Sequence, residues 1–309
     1  MTPVLEAAVG LNAPNKPVDV ICVQDLLNNN LEFAGLSALL PVTGLANEAL
    51  TQAISAFQIA HPGIKAKKPD GKVSVGGNTL KRLAQAYQRE GGYRSTLPAG
   101  FNSNTFVAFN VETFTSLYAL QFAPPGLGAA AKLGLVSVVN GLIADTDVTD
   151  LRWAAYMLAT VKHECANTWL PIEEWGKGAG KDYGKAVAVV VDKKTTLHNI
   201  YFGRGYVQLT WDHRYQAMDT ALGLSGEGSL YLHPELALVP ATAYQIMSYG
   251  MRNGTFTSKQ LSDYIEGAKV DYVNARRIIN GTDTAQTIAA FARNIEFLLR
   301  FSNGVPIVR

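Results

Sequence analysis

A stretch with no apolar periodicity divides the sequence into two unequal parts. Residues 87–105 read YQREGGYRSTLPAGFNSNT and are rich in glycine, serine, asparagine and proline. Such a composition is typical of a linker, because it offers turn-forming residues and no apolar face to bury. All four tryptophans follow residue 150. The sequence therefore predicts domains at residues 1–88 and 105–309, joined by a linker at 89–104 with the boundary near residue 98.

The composition favours a globular protein and argues against nucleic-acid binding and against insertion into a membrane. Hydrophobic residues make up 48% of the 309 residues and the mean hydropathy is +0.05, so the chain can bury a core. The net charge of +2 is too small to indicate nucleic-acid binding. The N-terminus lacks a basic start followed by an apolar run, and the longest apolar region, residues 126–144, is interrupted by Lys132 and several glycines. We expect no secretory signal, no membrane span and a soluble chain.

The first part has the pattern of several short helices. Apolar residues recur at helical spacing over residues 18–27, and Leu50, Ile54 and Phe57 share one face of residues 47–60. An Asp-Gly turn and a short extended piece follow, and Asn78 is a plausible N-cap for a last helix. This pattern therefore predicts at least a small helical bundle.

Three stretches in this part resemble the three-helix peptidoglycan-binding domain of cell-wall hydrolases. They are Val23-Gln24 with Leu26-Leu27, Ala53-Ile54 with Phe57-Gln58, and DGKVSVGGNTL. The resemblance covers residues 8–86 and implies binding to bacterial peptidoglycan. A helical bundle without a ligand is the alternative.

In the second part, one glutamate ends an apolar helical stripe. Trp153, Met157, Val161 and Glu164 recur at steps of four, four and three, on a helix that Asp147 or Thr149 could cap. Apolar neighbours disfavour the charged form of a carboxyl group, which is a property that a general acid needs. The alternative is a glutamate at a helix end that points into water.

A second carboxylate follows beyond Pro171. A helix that continued would carry it about 15 Å further along the axis, but Pro171 forbids continuation and Asn167 is a fair helix terminator. The chain can therefore turn back and bring two acids together. Inverting glycosidases use such a pair about 6.5–9.5 Å apart. Because Glu173 and Glu174 are adjacent, only one can point inward from an extended segment.

The string YFGRGYVQLTW, with the preceding His163-Glu164 and the later INGT, resembles glycoside hydrolase family 19, whose chitinase-like fold phage endolysins also use. The resemblance covers residues 105–302 and implies a mainly α, lysozyme-like catalytic domain with a short β element. It implies that Glu164 is the general acid, that Glu174 is the base, with Glu173 as the alternative from a related subgroup, and that Thr210 helps hold the attacking water. It further implies substrate-binding roles for Tyr201, Arg204, Gln208, Asn280 and Arg293, with no metal and no cofactor. Arg293 also matches a family arginine that pairs with the catalytic carboxylates.

One departure from the family bears on the substrate. Arg214 stands where plant-type chitinases have a sugar-binding amide, which speaks against chitin. The leading hypothesis is thus a monomeric, modular endolysin that is made in the host cytoplasm and cuts peptidoglycan at the cell wall. The alternatives are a chitinase, a cysteine endopeptidase that uses Cys165 with His198 or His213, and a non-catalytic wall-binding protein. The two cysteines, Cys22 and Cys165, lie far apart and indicate free thiols rather than a disulfide framework.

Overall fold

The computed structural model describes residues 5–85, 97, 100–123 and 126–303. Contacts divide this part of the chain into two compact units. Unit 1 runs to Phe101 and includes Ser116–Gly126, and unit 2 comprises Asn102–Thr115 and the chain from Leu127 onward. Most of the predicted linker, residues 89–96, 98 and 99, lies outside the described residues. The prediction that the chain is mainly α is confirmed, since helices dominate both units and the strands are short.

Unit 1 is a group of helices around one apolar core. Its helices are α1 (Pro17–Asn28), α2 (Leu31–Ala34), α3 (Glu48–Ala60) and α4 (Asn78–Ala84), and two short strands, β1 (Val9–Gly10) and β2 (Lys72–Val73), pair antiparallel. The predicted face of α3 is fully buried in this core. Helix α4 begins one residue earlier than expected, because Gly77 and not Asn78 is its N-cap.

A buried glutamine ties the helices of unit 1 to the turn. The Gln58 amide on α3 accepts a hydrogen bond from the Gly71 N–H (3.1 Å) and donates to Asp70 Oδ1 (2.6 Å) and to Lys72 O (3.0 Å). Gly71 has φ +62°, a conformation that glycine adopts without strain. The Asp-Gly turn is therefore positioned by the core helix and not only by its own preference.

Unit 2 is built around helix α7 (Leu151–Glu164), which packs against α10 (Ala285–Ser302) and α9 (Pro240–Asn253). The remaining helices are α5 (Val111–Phe122), whose second half belongs to unit 1, α6 (Ala129–Ala144) and α8 (Asp212–Leu222). Helix α6 is a single helix over the interrupted apolar region. None of the helices in the described part combines the length and apolar character needed to span a bilayer.

Short antiparallel pairs complete unit 2. Strand β3 (Ile172–Glu173) pairs with β6 (Arg204–Gly205), β4 (Val187–Val190) with β5 (Thr196–Asn199), and β7 (Ile265–Glu266) with β8 (Lys269–Val270). The β3–β6 pair brings the segment after α7 against the FGRG stretch. It is the element that positions the candidate site.

Both ends of α7 differ from the sequence expectation. The N-cap is Asp150, whose carboxylate accepts a hydrogen bond from the Arg152 N–H at 2.8 Å, and not Asp147 or Thr149. The helix ends at Glu164, well before Pro171. Ala166, Asn167 and Trp169 have φ of +47°, +63° and +60°, so a left-handed turn ends the helix and reverses the chain. Pro171 therefore lies beyond the reversal and does not cause it.

Candidate active site

Glutamates from two separate segments line one cleft in unit 2. The cleft has a volume of about 580 Å³ and is formed by the end of α7, the segment after β3, the loop from Gly203 to Trp211, the start of α8 and two later loops. The predicted residues that line it are Glu164, Glu174, Gln208, Thr210 and Asn280. Tyr183, Trp211, Arg214 and Phe256 also line it.

The β3–β6 pairing determines where Glu174 points. Glu173 is in register with Arg204, and the next residue, Glu174, donates its N–H to Gly203 O at 2.7 Å. The Glu174 side chain turns back on the same glycine, because Oε2 accepts from the Gly203 N–H at 3.0 Å. A Cβ at residue 203 would lie 2.8 Å from Gln208 Oε1 and 3.2 Å from Glu174 Cβ. Glycine at this position therefore permits the close approach that holds Glu174.

Tyr183 holds the other carboxylate oxygen of Glu174. Its hydroxyl donates to Oε1 at 2.6 Å. Burial, followed by the bond to Glu174, raises the pKa of Tyr183 to about 12. The phenol therefore remains a proton-bearing donor at neutral pH. Tyr183 lies in the lysine-rich interval between the two resemblance motifs, and it was not among the residues that the sequence singled out.

Glu173 faces away from this arrangement. Its carboxylate forms an ion pair with Lys177 Nζ at 2.8 Å and lies 4.0 Å from Arg204 Nε. It is not among the residues that line the cleft. Of the two adjacent acids that the sequence left open, the geometry thus places Glu174 in the cleft and Glu173 on the other side of the strand.

Glu164 is paired with a buried arginine. Its Oε1 lies 2.5 Å from Nη1 of Arg276, whose side chain is 3% exposed. Arg276 also reaches Asp283, through Nε to the carbonyl oxygen (3.3 Å) and through Nη2 to Oδ2 (3.4 Å). The apolar stripe of α7 is therefore only part of the surroundings of Glu164, and the sequence argument from apolar neighbours alone was incomplete.

The arginine beside Glu164 is Arg276 and not Arg293. Arg293 lies on α10 with an exposed side chain. Arg276 lies three residues before the INGT string that carried the resemblance, so a signal for it was present in the sequence. Choosing between the two arginines required knowledge of a contact between residues more than one hundred positions apart.

Two of the residues expected to bind substrate are part of the scaffold. Tyr201 is buried, and its hydroxyl donates to Tyr231 O at 2.7 Å. Arg204 is 7% exposed, donates to Ile200 O at 2.9 Å and lies 3.6 Å from the centroid of the Phe202 ring. Neither lines the cleft. Both side chains are buried and bonded to backbone carbonyls of unit 2, so they support the loop.

Gln208 and Trp211 line the cleft from a strained loop. Their φ angles are +53° and +71°, which are unusual for residues other than glycine. Gln208 Nε2 donates to Ile172 O (3.1 Å) and to Gly205 O (3.2 Å), so its amide joins β3 to the loop. The edge of Tyr183 meets the Trp211 ring with centroids 5.5 Å apart. These contacts hold Gln208 and Trp211 at one wall of the cleft.

The surroundings of Cys165 do not suit a nucleophile. Its side chain is fully buried, and burial raises the pKa of the thiol to about 12. Nucleophilic attack requires an accessible thiolate. His213 and His198, the two candidate bases, are both exposed, and His213 lies beside Asp212. The hypothesis of a cysteine endopeptidase is therefore not supported by this geometry. Both cysteines are free thiols, as expected.

A second cavity of about 610 Å³ lies between α6, α8 and α9. It contains none of the predicted site residues. Its central carboxylate, Asp145, accepts hydrogen bonds from the Tyr244 hydroxyl (2.9 Å) and the Ser248 hydroxyl (2.5 Å), and Arg252 pairs with Asp147 at 3.0 Å. This cavity also contains two acids held by different groups, but neither acid belongs to a motif that carried the resemblance.

Comparison with known proteins gives structural but no sequence-level matches. No protein-family model and no curated protein matches the chain. Among solved structures, the chain is similar to chitinase C from Streptomyces griseus HUT6037 (22% identity, 67% of this chain and 98% of that chain covered, TM-score 0.39). It is also similar to a mutant of chitinase C (19%, 67% and 98%, 0.35) and to a bacterial family 19 chitinase (20%, 54% and 85%, 0.34).

Proposed function

We propose that the chain is a phage-type endolysin that hydrolyses β-1,4 bonds between amino sugars of bacterial peptidoglycan. The observation that carries the proposal is that Glu164 and Glu174, from separate segments, line one cleft and are held by different groups. A pair of carboxyl groups in unlike environments suits one acid and one base. In this proposal the chain is a monomer that is made in the host cytoplasm and acts at the cell wall.

Glu174 is the proposed general base. Tyr183 and the Gly203 N–H each donate to one of its oxygens, which favours the ionised form and fixes its direction. Each carboxylate oxygen keeps a second lone pair that can accept a proton from water. Thr210 lines the same cleft and supplies a hydroxyl that can orient that water.

Glu164 is the proposed general acid. The acid role rests on the resemblance of His163-Glu164 to family 19, since a guanidinium beside a carboxyl group by itself favours the ionised form. Arg276 donates to Oε1, which leaves Oε2 as the oxygen that can carry the proton for the departing glycosidic oxygen. The hydrogen bond from Arg276 orients the carboxyl group on the last turn of α7, while the carbohydrate binds between this group and Glu174. Asn280, on the loop that follows Arg276, offers an amide to the sugar.

Unit 1 is the proposed wall-binding module, on the basis of its resemblance to peptidoglycan-binding domains. A module that binds an insoluble polymer raises the effective concentration of the catalytic cleft at its substrate. This is the reason to favour peptidoglycan over chitin at the level of the whole chain.

The test is mass spectrometry of fragments that the intact protein releases from purified sacculi, which identifies the bond that is cut. Glu164→Gln and Glu174→Gln should each lower the rate by at least ~100-fold, since each removes one proton-transfer group. Glu173→Gln should retain most activity, and Glu227→Gln, a change at a fully exposed side chain, all of it. Activity that survives in Glu174→Gln but is lost in Glu173→Gln would reverse the assignment of the base.

A second comparison separates this proposal from peptide cleavage. Cys165→Ala should leave the rate of sugar release nearly unchanged, because the thiol is buried away from the cleft. Release of free stem peptides, abolished by Cys165→Ala, would instead support the endopeptidase.

A further inference from the structure

Arg214 differs from the other inward-facing arginines of unit 2. It lies in the first turn of α8, half-buried, and lines the cleft beside Trp211. Within the described part of the chain its guanidinium has no ion pair and no hydrogen bond to a side chain or carbonyl. The buried or half-buried arginines of unit 2 that do have a carboxylate within 4.0 Å are Arg152, Arg204, Arg252, Arg276 and Arg300.

Holding a cation partly out of water without a partner costs free energy. Burial accordingly lowers the pKa of the Arg214 guanidinium, with no neighbouring carboxylate to offset it. A negatively charged ligand in the cleft would supply the missing partner.

The acids of the cleft are already engaged. Glu164 pairs with Arg276, and both oxygens of Glu174 accept hydrogen bonds, from Tyr183 and from the Gly203 N–H. Arg214 therefore contributes a positive charge that no acid of the cleft neutralises. A guanidinium has donors in a planar fork that match a carboxylate in two places at once.

We propose that Arg214 binds a carboxylate carried on the substituent of an amino sugar, and so selects an acidic glycan over a neutral one. This inference rests on the proposed function, namely that the cleft takes an amino-sugar polymer. In peptidoglycan the carboxylate has two possible sources. One is the lactyl group of muramic acid after removal of its peptide, and the other is the peptide stem itself.

Trp211 gives the contact a direction. Its indole is 36% exposed at the cleft, and its carbonyl accepts the Arg214 N–H at 3.1 Å. Because both residues line the same cleft, we expect a sugar ring packed on the indole to direct its substituent toward the guanidinium. Arg214 acts as a specificity-determining residue here, apart from the two carboxylates that carry out the chemistry.

The experiment compares the intact protein with Arg214→Gln, which keeps polar volume and removes the charge, and with Arg214→Lys, which keeps the charge. Lys132→Gln, at an exposed position on α6, is the matched control for loss of one positive charge. Four substrates are used: chitin oligosaccharides, glycan strands with intact stems, strands freed of stems by an amidase, and stemless strands whose carboxyl groups have been converted to neutral amides. Both kcat/KM and calorimetric affinity are measured.

Arg214→Gln should lower kcat/KM and affinity by about ten- to a hundredfold on carboxylated strands, the range expected for a hydrogen bond to a charged group. It should change neither quantity by more than about twofold on chitin oligosaccharides or on amidated strands. On carboxylated strands, Arg214→Lys should lose less kcat/KM and affinity than Arg214→Gln does. Lys132→Gln should lose neither. A loss confined to stemless strands identifies the lactyl group, whereas a loss on stem-bearing strands identifies the peptide.

If Arg214→Gln lowers kcat/KM and affinity equally on neutral and acidic strands, or on neither, the proposed role of Arg214 is wrong. Affinity that depends on Arg214 in a protein that cleaves none of the four substrates supports this role while contradicting the proposed function. Cleavage at the same rate with and without Arg214 supports the proposed function while contradicting the role of Arg214. Failure of one proposal is therefore distinguishable from failure of the other.

Discussion

At the scale of single residues, the end of α7 places a buried cation directly before the two motif residues His163 and Glu164. Lys162 is 5% exposed; its ammonium donates to Asn167 Oδ1 and lies 4.6 Å from the centroid of the Phe291 ring. Burial lowers the pKa of Lys162 from 10.5 to about 8. Asn167, expected from sequence to be only a helix terminator, thus also holds this cation.

The lowered pKa of Lys162 predicts that the contribution of this residue to stability rises with pH. Well below pH 8 the lysine is charged in both states, and the folded protein bears the full cost of burying it. As pH rises, the folded state releases this proton before the unfolded state does, so the Lys162 contribution to the unfolding free energy should increase by about 2 kcal/mol between pH 7 and 9.5. The thiols of Cys22 and Cys165, whose pKa values burial raises to about 12, act in the opposite direction in this window. The contribution of Lys162 is therefore read as a difference from a variant that lacks it.

The measurement is urea denaturation followed by tryptophan fluorescence, which reports on unit 2 because all four tryptophans lie there. Lys162→Met should be more stable than the natural chain at pH 7, and this difference in unfolding free energy should shrink by about 2 kcal/mol by pH 9.5. A difference that stays constant with pH would show that Lys162 makes no such contribution.

At the scale of elements, the reversal after α7 is held by close packing against α6. Trp169 is fully buried, and a Cβ at Gly134 on α6 would lie 2.3 Å from its carbonyl oxygen. The neighbour is backbone, which cannot rotate away. Helix α6 and the left-handed turn therefore approach each other at a position where only glycine fits, and this contact helps set the direction in which the chain enters β3.

Gly134→Ala should destabilise unit 2 although alanine is the better helix former. Overpacking costs about 1–3 kcal/mol, more than the roughly 1 kcal/mol that helix propensity would add. Asn140→Ala, an exposed change on the same helix, is the control and should be neutral or slightly stabilising. The urea midpoint of the tryptophan signal measures the stability of both variants. If Gly134→Ala is more stable than the natural chain, the proposed close packing of Gly134 against Trp169 is wrong.

At the scale of the whole molecule, each unit has its own buried core. Phe57 is fully buried in the cluster of unit 1, with the Phe33 ring centroid 6.5 Å away. The candidate cleft is lined by residues of unit 2 alone. In the proposed function, the first core supports wall binding and the second supports catalysis.

Phe57→Ala should therefore damage one activity and spare the other. Truncating a buried phenylalanine costs about 3–5 kcal/mol, which should unfold unit 1 at a lower temperature in calorimetry. Cosedimentation with sacculi should fall, while turnover of short glycan strands and the tryptophan transition should remain. Ile59→Ala, 55% exposed on the same helix, should change neither. Loss of oligosaccharide turnover in Phe57→Ala would show that the cleft depends on unit 1.

Local patterns in the sequence predicted the helices well and their ends less well. The apolar spacing of residues 47–60 and the stripe through Met157 and Val161 predicted α3 and α7, since a repeat of 3.6 residues is a property of the chain itself. The caps Gly77 and Asp150 were missed. A cap depends on which residue leaves helical geometry, and several nearby candidates have similar preferences.

The sequence by itself determined the mainly helical character, the place of the glutamates after an apolar helix, and the glycine-rich string that supports them. Only the tertiary structure decided that Glu174 and not Glu173 enters the cleft, because the β3–β6 register selects the face. It alone put Arg276 beside Glu164, Tyr183 beside Glu174, and Arg214 in the cleft with no ion-pair partner among the described residues. These are contacts between distant segments, and their energies depend on distances that no local pattern encodes.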